Sequence, residues 1–380
     1  MKTKRLPLAA SILLALTATQ AAAERLAVVT SIQQNGSNNS SELTQSNGDS
    51  LRFLSVQDGS ENRSVITQTG GLGNEGGVQQ IGSRNVFSGS QEGGINVSAF
   101  AKQEGDDNTS KIIQFRANEG EGYTTARTKQ YSSGNWARVE QDRGEQLSIH
   151  SEQGWDNRFK GYQMWGSDHQ MVSYQTRSWN TASLEQLQGV GSYTHSQQDG
   201  ERNSVEVLQD QDLGGSRVVS QQSDDNKARI DQHNPDKNDV LNLQLGDYNK
   251  AILEQWQGNS NTIENRQFGD SNEIVIEQRG QSNSIDTNQS GGLNRGFVNQ
   301  NGDSSNVKIN QSGEFNESNI LQGINDATGG GGFNFASITQ HGIGLVGAPN
   351  KATIKQFGSN YIATIMQSGG SGNMAQITQN

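Results

Sequence analysis

The sequence predicts an all-β fold, a β-solenoid of stacked strand–turn–strand coils with two strands in each repeat of about 22–23 residues. Three observations predict it. Glutamine recurs at 198, 209, 221, 232, 244, 255, 267, 278, 289, 300, 311 and 322, at intervals of 11 or 12 residues. Between these marks runs one unit, seen cleanly from Gln267 to Gln278 as Gln-Phe-Gly-Asp-Ser-Asn-Glu-Ile-Val-Ile-Glu-Gln. Within it, period-two alternation puts Asn272, Ile274, Ile276 and Gln278 on one face of an extended chain and Glu273, Val275 and Glu277 on the other.

The same split recurs at Asn249, Ala251, Leu253 and Gln255 against Lys250, Ile252 and Glu254. Apolar residues share a face with amides while charges take the opposite face, and the three-and-four spacing of a helix is absent. Glycine two places after many marks (Gly59, Gly82, Gly93, Gly105, Gly200, Gly246, Gly269 and Gly280) signals turns, where a positive φ is expected. A single coil has too little apolar surface to fold alone. Stacked at about 4.7–4.8 Å, coils place equivalent side chains over one another, and a carboxamide is both donor and acceptor. The expected structural ladder comprises Gln57, Asn62, Gln68, Gln198, Asn203, Gln209, Gln221, Asn226, Gln232, Gln244, Asn249, Gln255, Gln267, Asn272, Gln278, Gln289, Gln300, Gln311 and Gln322.

In chain order, residues 1–23 read as a secretory signal peptide: Lys2, Lys4 and Arg5, then the apolar Leu8 to Leu16, then Ala21-Ala22-Ala23. Residues 24–33 form a short leader. Residues 34–114 hold regular repeats marked by Gln34, Gln45, Gln57, Gln68, Gln80, Gln91, Gln103 and Gln114. Residues 115–197 are degenerate and aromatic-rich, with an inserted loop expected at Asn118 to Gly122 and marks at Gln130, Gln141, Gln153, Gln163, Gln175 and Gln186. This zone holds Trp136, Trp155, Trp165 and Trp179. Strand phase sends Phe159 inward and Tyr162 and Tyr174 outward, and leaves Trp155 and Trp165 in turns. Residues 198–322 are regular again. Residues 323–380 are terminal repeats with insertions at Gly329 to Gly332 and around Pro349, closing on Gln340, Gln356, Gln367 and Gln379.

Composition fits a secreted repeat protein. Only 30% of residues are hydrophobic and the mean hydropathy is −0.78, values that alone suggest disorder; the fixed spacing of the apolar residues argues for order. Cysteine is absent, so disulfides, thiolate chemistry and Cys-ligated zinc are excluded. The formal net charge of −11 offers no drive toward nucleic acid. No stretch after the signal approaches about 18 apolar residues, so no membrane span is expected.

The unit resembles the curlin repeat of curli fibre subunits, Ser-x5-Gln-x-Gly-x-x-Asn-x-Ala-x3-Gln. Matches include Gln57-Asp58-Gly59-Ser60-Glu61-Asn62-Arg63-Ser64-Val65-Ile66-Thr67-Gln68 and Gln244-Leu245-Gly246-Asp247-Tyr248-Asn249-Lys250-Ala251-Ile252-Leu253-Glu254-Gln255. The early repeats, from Gly36-Ser37-Asn38-Asn39-Ser40 to Arg63, look most like the minor, nucleating curlin. The resemblance implies an extracellular functional amyloid serving adhesion and biofilm matrix. It also implies passage through the periplasm of a Gram-negative bacterium to the cell surface. The implied partners are further copies, other curlin-like subunits and outer-membrane secretion machinery. The chain departs from the family in having about three times as many repeats. It also lacks a Gly-rich leader and a basic terminal repeat.

Two other function classes are open to such a chain. A soluble secreted β-solenoid, acting as an adhesin or polysaccharide-binding rod, would use the aromatic middle zone. A solenoid enzyme would need convergent acids and bases. His150, His169, His195, His233 and His341 are scattered, and Asp106-Asp107 and Asp224-Asp225 fall in turns. Asp231 to Asp239 lacks the calcium-binding nonapeptide and the helix–loop–helix calcium pattern. No catalytic, cofactor or metal residues are therefore assigned.

Overall fold

The computed structural model describes residues 14–17, 29–116, 122–212, 214–323 and 333–379. Most of the segment read as a signal, the leader up to residue 28, the expected insertion at 118–121 and the run Gly329 to Gly332 lie outside the described residues. Among the described residues there is no helix, and every strand–strand pairing is parallel. Each of two compact units, residues 1–167 and 168–380, is a parallel β-solenoid of stacked coils.

In the first unit one sheet takes Ser40–Ser46, Arg63–Thr69, Val86–Glu92, Thr109–Phe115, Trp136–Asp142 and Arg158–Ser167. The other takes Val29–Ser37, Arg52–Ser60, Glu75–Ser83, Val97–Glu104, Thr124–Tyr131 and Ser148–Gln153. A short strand, Leu14–Thr17, pairs with Ser41 to Thr44 at the edge of the first sheet. The second unit repeats this plan, one sheet running from Thr181–Val190 to Met374–Gln379 and the other from Gln170–Gln175 to Ile362–Ser368. Successive strands enter opposite sheets, and each pairs with the strand one full coil away. The alternating pattern demands this, because each strand has one face to bury and finds its cover in the facing sheet.

Register is kept by equivalence. Gln34, Gln57, Gln80, Gln103 and Gln130 lie side by side in one sheet. The last step spans 27 residues instead of 23, yet Gln103 still donates to Gln130 and the ladder keeps its register. The 34-residue step from Gln322 to Gln356 is absorbed in the same way. Part of that surplus is the surface turn from Leu345 to Ala348 beside Pro349.

The core of each coil is thin, so side-chain sizes must alternate to fill it. In the second unit Ile230, Leu253, Ile276, Val298, Ile320 and Ile354 form one column, each with no exposed surface. Where a large side chain enters, a glycine gives it room. A Cβ at Gly296 would lie 2.4 Å from Ile274 Cδ1, at Gly76 2.8 Å from Phe53, and at Gly161 2.8 Å from Phe159. Phe159 points inward; Tyr162 and Tyr174 are half-buried on the opposite face. Trp155 is exposed in a turn, while Trp165 is exposed at a left-handed residue near the end of Arg158–Ser167.

The turns are tighter than the glycine pattern suggests. The residue just before many ladder asparagines is left-handed without being glycine: Glu61, Arg84, Tyr248 and Ser271 have φ between 57° and 59°. The glycine two residues earlier is shaped by close approach. Gly269 has φ +95°, and a Cβ there would fall 2.4 Å from the carbonyl oxygen of Gly291 in the next coil. Gly200 departs from the expected conformation. Its φ lies outside the left-handed region, because the strand Tyr193–Gln198 ends at its glutamine and the chain leaves the ladder early. Glycine is still needed there, since a Cβ would sit 2.2 Å from Asp224 Oδ1.

Candidate functional site

What the sequence concentrates inside each coil is carboxamide, and the structure turns it into continuous hydrogen-bonded rows. In one sheet of the second unit the Nε2 of Gln198, Gln222, Gln244, Gln267 and Gln289 donates to the next Oε1 in line. Those distances are 3.2, 2.7, 2.9, 2.9 and 2.8 Å, and the row continues from Gln311 to Gln340 at 2.9 Å. In the other sheet Gln209, Gln232, Gln255, Gln278 and Gln300 do the same toward Gln322, at 2.8, 2.7, 2.9, 3.0 and 3.1 Å. In the first unit Gln57 donates to Gln80 at 2.8 Å and Gln68 to Gln91 at 2.6 Å.

A primary amide has two N–H groups, and the second is also used. Gln244, Gln267 and Gln289 each donate at 3.1 Å to a backbone carbonyl, of Lys227, Lys250 and Glu273 respectively, on a strand of the opposite sheet. One side chain therefore ties coil to coil and sheet to sheet. That completeness matters, because a buried amide with an unmet group costs about 1–3 kcal/mol.

Asparagine performs the corresponding task at the turn. The backbone N–H and Nδ2 of Asn272 both donate to Asn249 Oδ1 at 3.0 Å, and Nδ2 also donates to the carbonyl of Gly291 at 3.0 Å. Asn62, Asn203, Asn226 and Asn249 occupy equivalent places. The row thus holds the tight turn of one coil against the glycine of the next.

Gln221 does not enter the ladder; its neighbour Gln222 does. Gln222 is buried between Gln198 and Gln244, whereas Gln221 lies on the outer face and donates to Gln197 at 3.4 Å. The interval from Gln209 to Gln222 is 13 residues. The longer connection reverses the strand's parity, so that Val218 and Ser220 point inward with Gln222.

Some ladder positions are not amides, and counting glutamines and asparagines missed them. His169 is fully buried six residues before Gln175, where the pattern calls for asparagine, and its Nδ1 accepts the backbone N–H of Ser192 at 3.3 Å. Ser216 Oγ similarly accepts the N–H of Asn238 at 3.2 Å. Offset from the next glutamine is the signal that finds both.

Outside, opposite charges meet one coil apart. Arg84 makes two 2.7 Å hydrogen bonds to Asp107, Arg202 binds Asp225 at 2.7 and 2.6 Å, and Lys250 reaches Glu273 at 2.9 Å. The guanidinium of Arg84, through its hydrogen bond and then its charge, holds the Asp107 carboxyl below the usual carboxylate range, as Arg202 does for Asp225. Exposed pairs of this kind contribute little to stability, because solvent screens them. Their larger consequence is to relieve the like-charge stacking that in-register parallel strands would otherwise impose.

Among the described residues no three histidine or acidic side chains group to hold a metal ion. Asp231, weighed as a calcium ligand, is buried against Arg229 at 2.6 Å. Burial lowers the pKa of His150, which hydrogen-bonds Glu152 at 3.0 Å, and of His195, which stacks on Tyr193.

The ladder can be tested against the outer face of the same strands. Gln255→Ala strands the Gln232 donor and the Gln278 acceptor, and is expected to cost about 2–4 kcal/mol in denaturant unfolding. Glu277, half-buried outside and accepting from Asn299 at 2.9 Å, is expected to cost under about 1 kcal/mol when replaced by alanine. Equal losses would contradict the inward and outward assignment.

A comparison with curated proteins found no match for the chain. Residues 280–313 and 347–380 match the family model of the curlin associated repeat. Both stretches lie in the second unit and carry the amide rows just described, so that in these two stretches the chain is similar to the curlin associated repeat.

Proposed function

We propose that the chain is a secreted structural subunit of extracellular, curli-like amyloid fibres, serving adhesion and biofilm matrix and assembling by continuation of its amide rows. The observation that carries this reading is the sameness of the rungs. Each coil presents upward the glutamine and asparagine arrangement that it receives from below, so its stacking surface is complementary to a copy of itself. Unpaired strand edges with such a surface template the addition of another chain. The match of residues 280–313 and 347–380 to the curlin associated repeat supports the same role. The resemblance of the early repeats to the nucleating curlin favours a part in starting fibres.

The test is assembly itself. The chain lacking residues 1–23, diluted from denaturant at micromolar concentration, is expected to give fibres with a cross-β reflection near about 4.7 Å. Persistent monomers would overturn the proposal and favour a soluble secreted rod, with the exposed Trp155 and Trp165 as its binding surface.

A further inference from the structure

One sheet of the first unit turns a basic face outward, although the chain as a whole is acidic. On the adjacent strands Thr109–Phe115, Trp136–Asp142 and Arg158–Ser167 the charged side chains are the cations Lys111, Arg138, Arg158 and Lys160 and the carboxylates Glu140 and Asp142. In-register pairing sets Lys111, Arg138 and Lys160 in a single row, one cation per strand at a spacing of about 4.7–4.8 Å. Like charges so placed repel, in contrast to the opposite charges that meet at Arg84–Asp107 and Lys250–Glu273. Both carboxylates of the face already have an arginine, Glu140 beside Arg138 and Asp142 at 3.6 Å from Arg143. Lys111 has no ion pair among the described residues, and Lys111 and Lys160 are exposed. These strands therefore keep a surplus of positive charge on a chain of formal net charge −11.

What flanks the row decides which anion fits it. Trp136, exposed, stands beside the row and in register with Arg158. An indole ring suits the apolar C–H face of a sugar ring. One and two coils further along, the outward side chains are the hydroxyls of Ser88, Ser90 and Thr67, in register with Lys111 and its neighbour Ile113. Such hydroxyls both donate to and accept from sugar hydroxyls. A polymer of uronic acids carries one carboxylate on each pyranose ring, and one ring is about as long as the spacing between strands. Its charges can therefore meet the row coil by coil. A nucleic acid duplex, with one charge per about 1.7 Å of its axis, is convex and touches a flat track at fewer points.

We propose that this face binds an acidic polysaccharide, a polyuronate lying along the stacking direction. Its carboxylates meet Lys111, Arg138 and Lys160, one ring packs on Trp136, and its hydroxyls reach Ser88 and Ser90. The bound acid supplies the negative charge that the row of like cations lacks. The face runs parallel to the direction of stacking, so the addition of further copies leaves it outward. The assignment therefore stands apart from fibre formation.

The test measures binding to the full chain, freshly diluted and after any assembly, of oligogalacturonate, a neutral dextran of matched length and a single-stranded oligonucleotide of matched charge. Oligogalacturonate is expected to bind at least about tenfold more tightly than either, and to weaken as salt rises. Replacing both exposed lysines, Lys111→Gln with Lys160→Gln, is expected to weaken it by about tenfold or more. Lys227→Gln with Lys308→Gln removes the same charge from exposed positions of the second unit and is expected to stay within about twofold of the parent chain. Trp136→Ala is expected to weaken binding severalfold while leaving its salt dependence unchanged. Circular dichroism checks that each variant is folded. Equal losses in the two lysine pairs would overturn the assignment, by showing that net charge alone attracts the acid. It is overturned as well if Trp136→Ala binds normally, if dextran binds equally, or if the oligonucleotide binds as tightly, which would make nucleic acid the partner.

Discussion

Ile276→Asp is expected to abolish folding of the second unit's central coils. Ile276 has no exposed surface and packs in register between Leu253 and Val298. A carboxylate there meets aliphatic side chains and amides hydrogen-bonded to one another along their row. Loss of the buried side chain and burial of an unpaired charge together exceed about 5 kcal/mol, comparable to the whole stability of a typical domain. Ile276→Val, which trims one methylene, is expected to cost only about 0.5–1.5 kcal/mol. Far-UV circular dichroism and denaturant unfolding read both. A folded Ile276→Asp chain would mean that the column is not the core.

Gly269→Ala is expected to show the second large effect, about 3 kcal/mol or more. Its positive φ alone costs a side chain on the order of 1–3 kcal/mol. The added Cβ also falls 2.4 Å from the carbonyl oxygen of Gly291, and the backbone on both sides is pinned by the ladder. Gly347 separates the two causes. It has φ +88° with nothing within 4 Å of the Cβ position, so Gly347→Ala measures the backbone conformation without the clash. Similar losses at both sites in thermal or denaturant unfolding would show that close stacking adds nothing at Gly269.

The neighbouring charge pairs set a useful contrast in scale. Arg202 and Asp225 form a well-aligned bidentate pair, yet its exposure limits its worth. Stability in this fold therefore resides in the thin interior, where one side chain is shared by every coil above and below.

By itself the sequence determined the strands, the inward face and most of the amide rows. Those features are written locally, because a period of two along each strand and a repeat of 22–23 residues are imposed on every coil by the same backbone geometry. Gln255, Asn272 and Ile276 can be placed from a dozen neighbouring residues. Only the tertiary structure decided which of Gln221 and Gln222 faces inward, because parity depends on how many residues the preceding turn absorbs. It alone placed His169 in the asparagine row, where an imidazole nitrogen accepts the hydrogen bond that an amide oxygen accepts elsewhere. It alone set Leu54, Gly77, Phe100 and Arg127, residues one or more repeats apart, in one outward row. The interior is fixed by a rule that every repeat obeys, whereas the outer face is composed by whichever side chains the stacking happens to bring together.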